Sequence, residues 1–175
     1  MTMRIRPALA VGAAVLLLIA PVVRAVDDDK DEGDQTAVVK ALSQAKVSLN
    51  QGLLAAAHEG NPISAKFELE NGKLQLSVYT MKADTFSEVG VDPISGKVVN
   101  VEAITEGEDL AAAKAQSDAM KKAKRSLAAA LTEALKVNKG YQAVSVISSL
   151  KDGHAVAEVA LAKGEELKNV DVKLD

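Results

Sequence analysis

The sequence predicts an α+β protein of two tandem modules, each an amphipathic helix packed on one face of an antiparallel β-meander. Three observations predict it. Ala45-Lys46-Val47-Ser48-Leu49 returns 78 residues later as Ala123-Lys124-Arg125-Ser126-Leu127. Phe86-Ser87-Glu88-Val89-Gly90-Val91-Asp92 is answered 81 residues later by Leu167-Lys168-Asn169-Val170-Asp171-Val172-Lys173. In each copy, apolar residues at helical spacing give way to strand-forming runs, with apolar–polar alternation clear in the first. Two slightly different offsets are what one small insertion between a helix and its strands produces, and a repeat of this size marks a folding unit used in tandem.

The first 25 residues read as an export signal. Arg4 and Arg6 make a positive start, Ala8 to Ala20 form an apolar run, and Val23-Arg24-Ala25 places small residues before a cut between Ala25 and Val26. The run is shorter than a spanning helix needs, and Pro21 breaks it. No stable membrane insertion is therefore expected after cleavage. The absence of Cys excludes a lipid-modified cysteine at the new N-terminus. Residues 26–35 then read as a solvated acidic linker, in which Asp27, Asp28, Asp29, Asp31, Glu32 and Asp34 repel one another.

The first module is assigned to residues 36–104. Its helix is expected from Thr36 to His58, with Leu42, Ala45, Leu49, Leu53 and Ala56 on one face. Gly60 and Pro62 stop it. Ile63, Ala65, Phe67 and Leu69 alternate with Ser64, Lys66, Glu68 and Glu70, then Asn71-Gly72 signals a hairpin. Leu74, Leu76 and Val78 resume the alternation. A third strand covers Phe86 to Val91, and a turn through Asp92-Pro93-Ile94-Ser95-Gly96-Lys97 leads to a fourth through Val98, Val99 and Val101.

The second module is assigned to residues 105–175. Its helix begins as early as Glu108 and carries the matching face Met120, Ala123, Leu127, Leu131 and Ala134. Val144 and Val146 lead to a turn at Asp152-Gly153. Ala155, Ala157, Val159 and Leu161 precede a last strand ending at Leu174. This copy shows no fourth strand, which leaves either a free edge or one shared with the first unit.

The closing stretch Val91-Asp92-Pro93-Ile94-Ser95-Gly96-Lys97-Val98-Val99, following an Ala-rich helix and a short-turned meander, resembles the PepSY domain. The turn residues Asp92, Ser95, Gly96 and Lys97 carry the likeness. It spans roughly Thr36 to Val101, and the internal repeat extends it to the second copy, which ends before any Ser-Gly-Lys turn. The resemblance implies an exported domain of the kind found in propeptides of thermolysin-like metallopeptidases and in small envelope proteins. A role in restraining or assisting peptidases is implied, with no catalytic residues.

The residues themselves offer little chemistry. Gly90 and Gly96-Lys97 lack the spacing, the Ser or Thr and the following helix of a phosphate loop. Ser43-Gln44-Ala45-Lys46 has a nucleophile's spacing without its companion elements. His58 and His154 are the two histidines, too few for a histidine metal site. Asp27, Asp29 and Asp31 approach calcium-loop spacing, but Glu32 stands where Gly is needed. No catalytic, cofactor or metal site is expected. The chain after Ala25 carries a net charge of −6, which argues against phosphate-backbone binding and so against nucleic acid.

One surface stands out. The outer sheet face of the second module is expected to include Ala143, Ile147, Val156 and Ala160, apolar enough to want cover from the first unit or from a partner. The expectation is a noncatalytic, periplasmic or secreted binding module with a protein partner, a peptidase among the candidates. The alternative is an envelope binder of a small ligand or cations.

Overall fold

The computed structural model describes residues 36–175; the expected export signal, its expected Ala25–Val26 cut and the expected acidic linker lie outside the described residues. Seven strands form one antiparallel sheet: β1 (Asn61–Glu70), β2 (Lys73–Lys82), β3 (Thr85–Val91), β4 (Val98–Ile104), β5 (Gln142–Lys151), β6 (His154–Lys163) and β7 (Glu166–Lys173). Their spatial order is β4-β3-β2-β1-β5-β6-β7. The helices are α1 (Leu49–Ala56), α2 (Gly107–Lys122) and α3 (Leu127–Val137), preceded by a helical segment at 36–41 that tightens into a 3₁₀ turn at Leu42–Gln44.

Local chemistry accounts for the hairpins. Asn71-Gly72 and Asp152-Gly153 both have positive φ at the two central residues, the geometry that matches the twist of the flanking strands. The alternation then sends Ala65, Phe67, Leu76, Val78, Val89 and Val91 to one face, with Val146, Ala157, Val159 and Leu161 from the second half. These residues share the main core with Leu49 and Leu53 of α1 and with Leu127, Ala130, Leu131 and Ala134 of α3. The protein is thus of the α+β class, and in it the two halves share one sheet and one main core.

Neither predicted helix is continuous. The repeated Ala-Lys-x-Ser-Leu is where each one breaks. Ala45 and Ala123 are extended (ψ 132° and 139°), and Ser48 and Ser126 restart the helix as N-caps. Ser48 Oγ accepts from the Gln51 N–H, and the Ser48 N–H donates to Gln51 Oε1, a reciprocal capping box. Ser126 Oγ accepts from the Ala129 N–H.

The amides freed by each break find one carbonyl. Lys46 and Val47 donate to Pro93 O (2.9 and 3.1 Å); Lys124 and Arg125 donate to Leu174 O (2.6 and 3.1 Å). Pro93 and Leu174 are 81 residues apart, the offset of the strands. The repeated pentapeptide is therefore a docking joint between helix and strand end.

The halves meet edge to edge. β1 and β5 pair over Ser64↔Ile147, Ala65↔Val146 and Lys66↔Ser145. At the 81-residue offset Val146 is the counterpart of Ala65, while Ile147 and Ser145 are those of Lys66 and Ser64. A residue opposite its own counterpart, flanked by exchanged neighbours, defines a local pseudo-two-fold axis. On the helix side, Asn50 Nδ2 donates to Thr132 Oγ1 (2.9 Å), linking α1 to α3. Of the two outcomes open for the second copy's missing fourth strand, the structure shows the free edge: the halves join through β1 and β5, and the outer side of β7 stays unpaired among the described residues.

α2 connects the halves across one end of the sheet. Ala113 joins Ile63, Tyr79 and Phe86 in a second buried cluster. Tyr79 OH donates to Asp109 Oδ1 (2.7 Å), and burial followed by that bond pushes the phenol well above its usual value. Ser148 Oγ, buried, lies 2.8 Å from Ile63 O and 3.0 Å from Gln116 O and ties α2 to the β1–β5 join.

Candidate functional site

The face of the sheet opposite α1 and α3 carries the groups most available for recognition. A groove of about 520 Å³ runs from Lys66 and Glu68 on β1 across Ile147 on β5 to Glu158 on β6 and Asp171 on β7. Strand alternation selects these residues: Lys66 and Glu68 flank the inward Phe67, and Ile147 and Glu158 are direct cross-strand partners.

The groove is lined by paired charges. Lys66 Nζ lies 2.6 Å from Glu68 Oε2. Lys151 Nζ bridges Asp171 Oδ2 (2.8 Å) and Glu158 Oε2 (3.5 Å). The hydrogen bond to Asp171, reinforced by Glu158, holds the Lys151 ammonium above its ordinary range. Ser77 donates to Glu68, and Ser149 donates to Glu158. Ser149 is the 81-residue counterpart of Glu68, and Glu158 that of Ser77. The hydroxyl–carboxylate pair recurs with donor and acceptor exchanged between strands.

The four residues of the predicted contact face divide. Ile147 is 37% exposed and lines the groove at the pseudo-two-fold join. Ala160 is half-buried in its floor. Val156 is buried yet belongs to neither core cluster. Ala143 is a correction: it is buried in the helix-side core, paired with Leu161, because an irregularity between Ala143 and Ser145 resets the alternation. That shift left no signal in the sequence pattern.

The turn Asp92–Lys97 is a structural clamp. Asp92 Oδ1 accepts from Ile94 N–H (3.2 Å), Ser95 N–H (2.6 Å) and Ser95 Oγ (2.7 Å). These bonds, the Ser95 hydroxyl first, lower the Asp92 carboxyl below its ordinary value. Gly96 has φ +73°, and its amide donates to Asp92 O (2.9 Å). The clamp presents Pro93 O to the helix break, which explains why Asp, Ser and Gly stand at these positions.

The remaining sequence candidates are scattered. Ser43 Oγ donates to Lys40 O (3.0 Å) in the leading segment. His58 is exposed just after α1. His154 Nδ1 lies 2.5 Å from Asp175 Oδ2, and that contact lowers the Asp175 carboxyl. Among the described residues no group of three or more His, Asp or Glu is placed to hold a metal ion. No helix among them is long and apolar enough to cross a membrane.

No family model matches the chain, and no curated protein matches it. One solved structure is similar: a Clostridium difficile 630 protein provisionally named a lipoprotein. It is 12% identical, with a TM-score of 0.38, over 67% of this chain and 78% of that one. A likeness this loose carries no argument about function.

Proposed function

We propose that this protein is a noncatalytic, exported binding module whose partner is a protein of the cell envelope. The observation that carries the reading is the groove on the sheet face opposite α1 and α3, bordered by Val38 of the leading helical segment, where Ile147 and Ala160 lie between the Lys66–Glu68 and Lys151–Glu158–Asp171 charges. An apolar floor between fixed charges of both signs suits a protein surface that is itself apolar with a polar rim. The PepSY-like closing turn supports a finer reading, in which the partner is a peptidase that the module restrains or assists. The residues that carry this likeness clamp a helix, so the contact with a peptidase falls to the groove.

The test is crosslinking and co-purification of the full chain from its native envelope, wild type against Ile147→Lys. Ile147 is partly exposed and outside both core clusters, so the variant is expected to melt with the wild type and to lose its partner. Retained partner with unchanged melting defeats the assignment of the face. A small ligand or cation detected by calorimetry, without any co-purifying protein, favours the alternative reading of an envelope ligand binder.

A further inference from the structure

The two outer strands of the sheet are unlike. β7 carries Glu166, Lys168, Asp171 and Lys173, the charge pattern by which natural sheets discourage edge pairing. Arg125 Nη1 also donates to the Lys173 carbonyl (3.3 Å). β4 reads Val98-Val99-Asn100-Val101-Glu102-Ala103-Ile104, with Glu102 its one charge. Val98, Val99 and Val101 are 37, 68 and 45% exposed. Among the described residues no strand covers the outer side of β4.

The charges of β4 are unbalanced within the chain. Glu102 stands directly across from Glu88 of β3, a like-charge pair that weakens a sheet. Glu102 accepts a hydrogen bond from Asn100 Nδ2 (2.7 Å) and takes part in none of the ion pairs found among the described residues. Lys97, just before β4, is exposed and takes part in none of the ion pairs found among the described residues.

We propose that β4 pairs antiparallel with β4 of a second copy of this chain, about a two-fold axis through Asn100. The register follows from the strand. The irregularity opposite Gly90 and Val91 makes Val99 the extra residue, so Val98 and Val101 share one side of the sheet and Asn100 and Glu102 the other. With Asn100 facing Asn100 of the second copy, Val98 meets Val101 and Lys97 meets Glu102, each twice. Every side chain meets one on its own side of the sheet. The incoming Lys97 places a cation beside the Glu88–Glu102 pair. The Lys97 carbonyl is already taken by the Asp92 N–H (2.9 Å), which puts Lys97, Asn100 and Glu102 at non-hydrogen-bonded positions, where cross-strand side chains come closest.

Sedimentation equilibrium of the folded chain over a wide concentration range tests the pairing. A reversible monomer–dimer equilibrium is expected. Lys97→Glu should weaken it roughly tenfold or more, since it reverses two cross-strand charge pairs, and Lys97→Glu with Glu102→Lys should restore it. Because the chain has no Cys, Asn100→Cys should form a single intermolecular disulfide on mild oxidation, and Asp171→Cys on β7 should not. A strictly monomeric chain overturns the proposal. So does a dimer indifferent to Lys97→Glu, or one crosslinked through position 171 and not through position 100. Partner capture through the groove of β1, β5, β6 and β7 is read separately by Ile147→Lys, so the two readings fail independently.

Discussion

Gly52 sits in the middle of α1, where glycine is a poor helix former, and the structure gives the reason. A Cβ built on Gly52 would lie 2.3 Å from Leu76 Cδ2 and 2.9 Å from Leu76 Cγ. Leu76 is fully buried, so its side chain has little room to yield. At the equivalent positions of the second half stand Ala130 and Ala157, both fully buried. The halves therefore share the same volume differently: none on the helix and a Leu on the strand, or one methyl on each.

Gly52→Ala should gain about 1 kcal/mol of helix propensity and lose about 1–3 kcal/mol to overpacking, for a net change from neutral to about 2 kcal/mol destabilising. Leu76→Ala alone should cost about 2–5 kcal/mol. Combined, the new methyl occupies vacated space and the clash disappears. The double variant should then be about 1 kcal/mol more stable than Leu76→Ala, which makes the coupling between the two sites about 1–3 kcal/mol. Equilibrium urea unfolding, with midpoints compared at unchanged slope, measures each corner of the cycle. If Gly52→Ala alone stabilises by the full propensity gain and the two changes add, α1 is free to move off β2 and the close approach is not what selects glycine.

Three further outcomes are expected. Ser48→Ala and Ser126→Ala should each cost about 1 kcal/mol in urea unfolding, because each removes the cap that restarts a helix after the break. Ala83 holds φ 54° where its counterpart Gly164 holds φ 60°, so Ala83→Gly should raise the melting temperature slightly, by relief of roughly 1 kcal/mol of left-handed strain less the entropy of glycine. The Asp92 carboxyl is lowered in the folded state, so its contribution is present above the ordinary value of 3.8 and is lost as pH falls through the folded value. Asp92→Asn should be less stable than wild type at pH 7, and the gap should narrow in melting curves taken below about pH 4.

Much of the fold was legible because it is written in local periodicity. The alternation of Ile63 to Leu69, the Asn71-Gly72 and Asp152-Gly153 turns and the 81-residue echo of Phe86 to Asp92 each need only a short window of chain. The helix breaks were not. Leu42, Ala45, Leu49, Leu53 and Ala56 keep helical spacing straight through a stretch that is not helical, and the capping-box spacing of Ser48 and Gln51 was the one local sign of a restart. The candidate site was legible in part: Ile147 and Ala160 follow from alternation, whereas Ala143 was turned inward by an irregularity that no residue pattern announces.

By itself, then, the sequence determined two copies of a helix and a meander, their hairpins and their apolar faces, because propensity, turn chemistry and side-chain period act between near neighbours. Tertiary structure alone decided where each helix stops. The Lys46 and Val47 amides leave the helical ladder for the Pro93 carbonyl, and those of Lys124 and Arg125 for the Leu174 carbonyl. It also decided that β1 and β5 join the copies about Ala65 and Val146, which leaves β4 and β7 as the outer strands among the described residues. Hydrogen bonds between residues that far apart depend on which surfaces meet once the chain has collapsed, and no local preference encodes that choice.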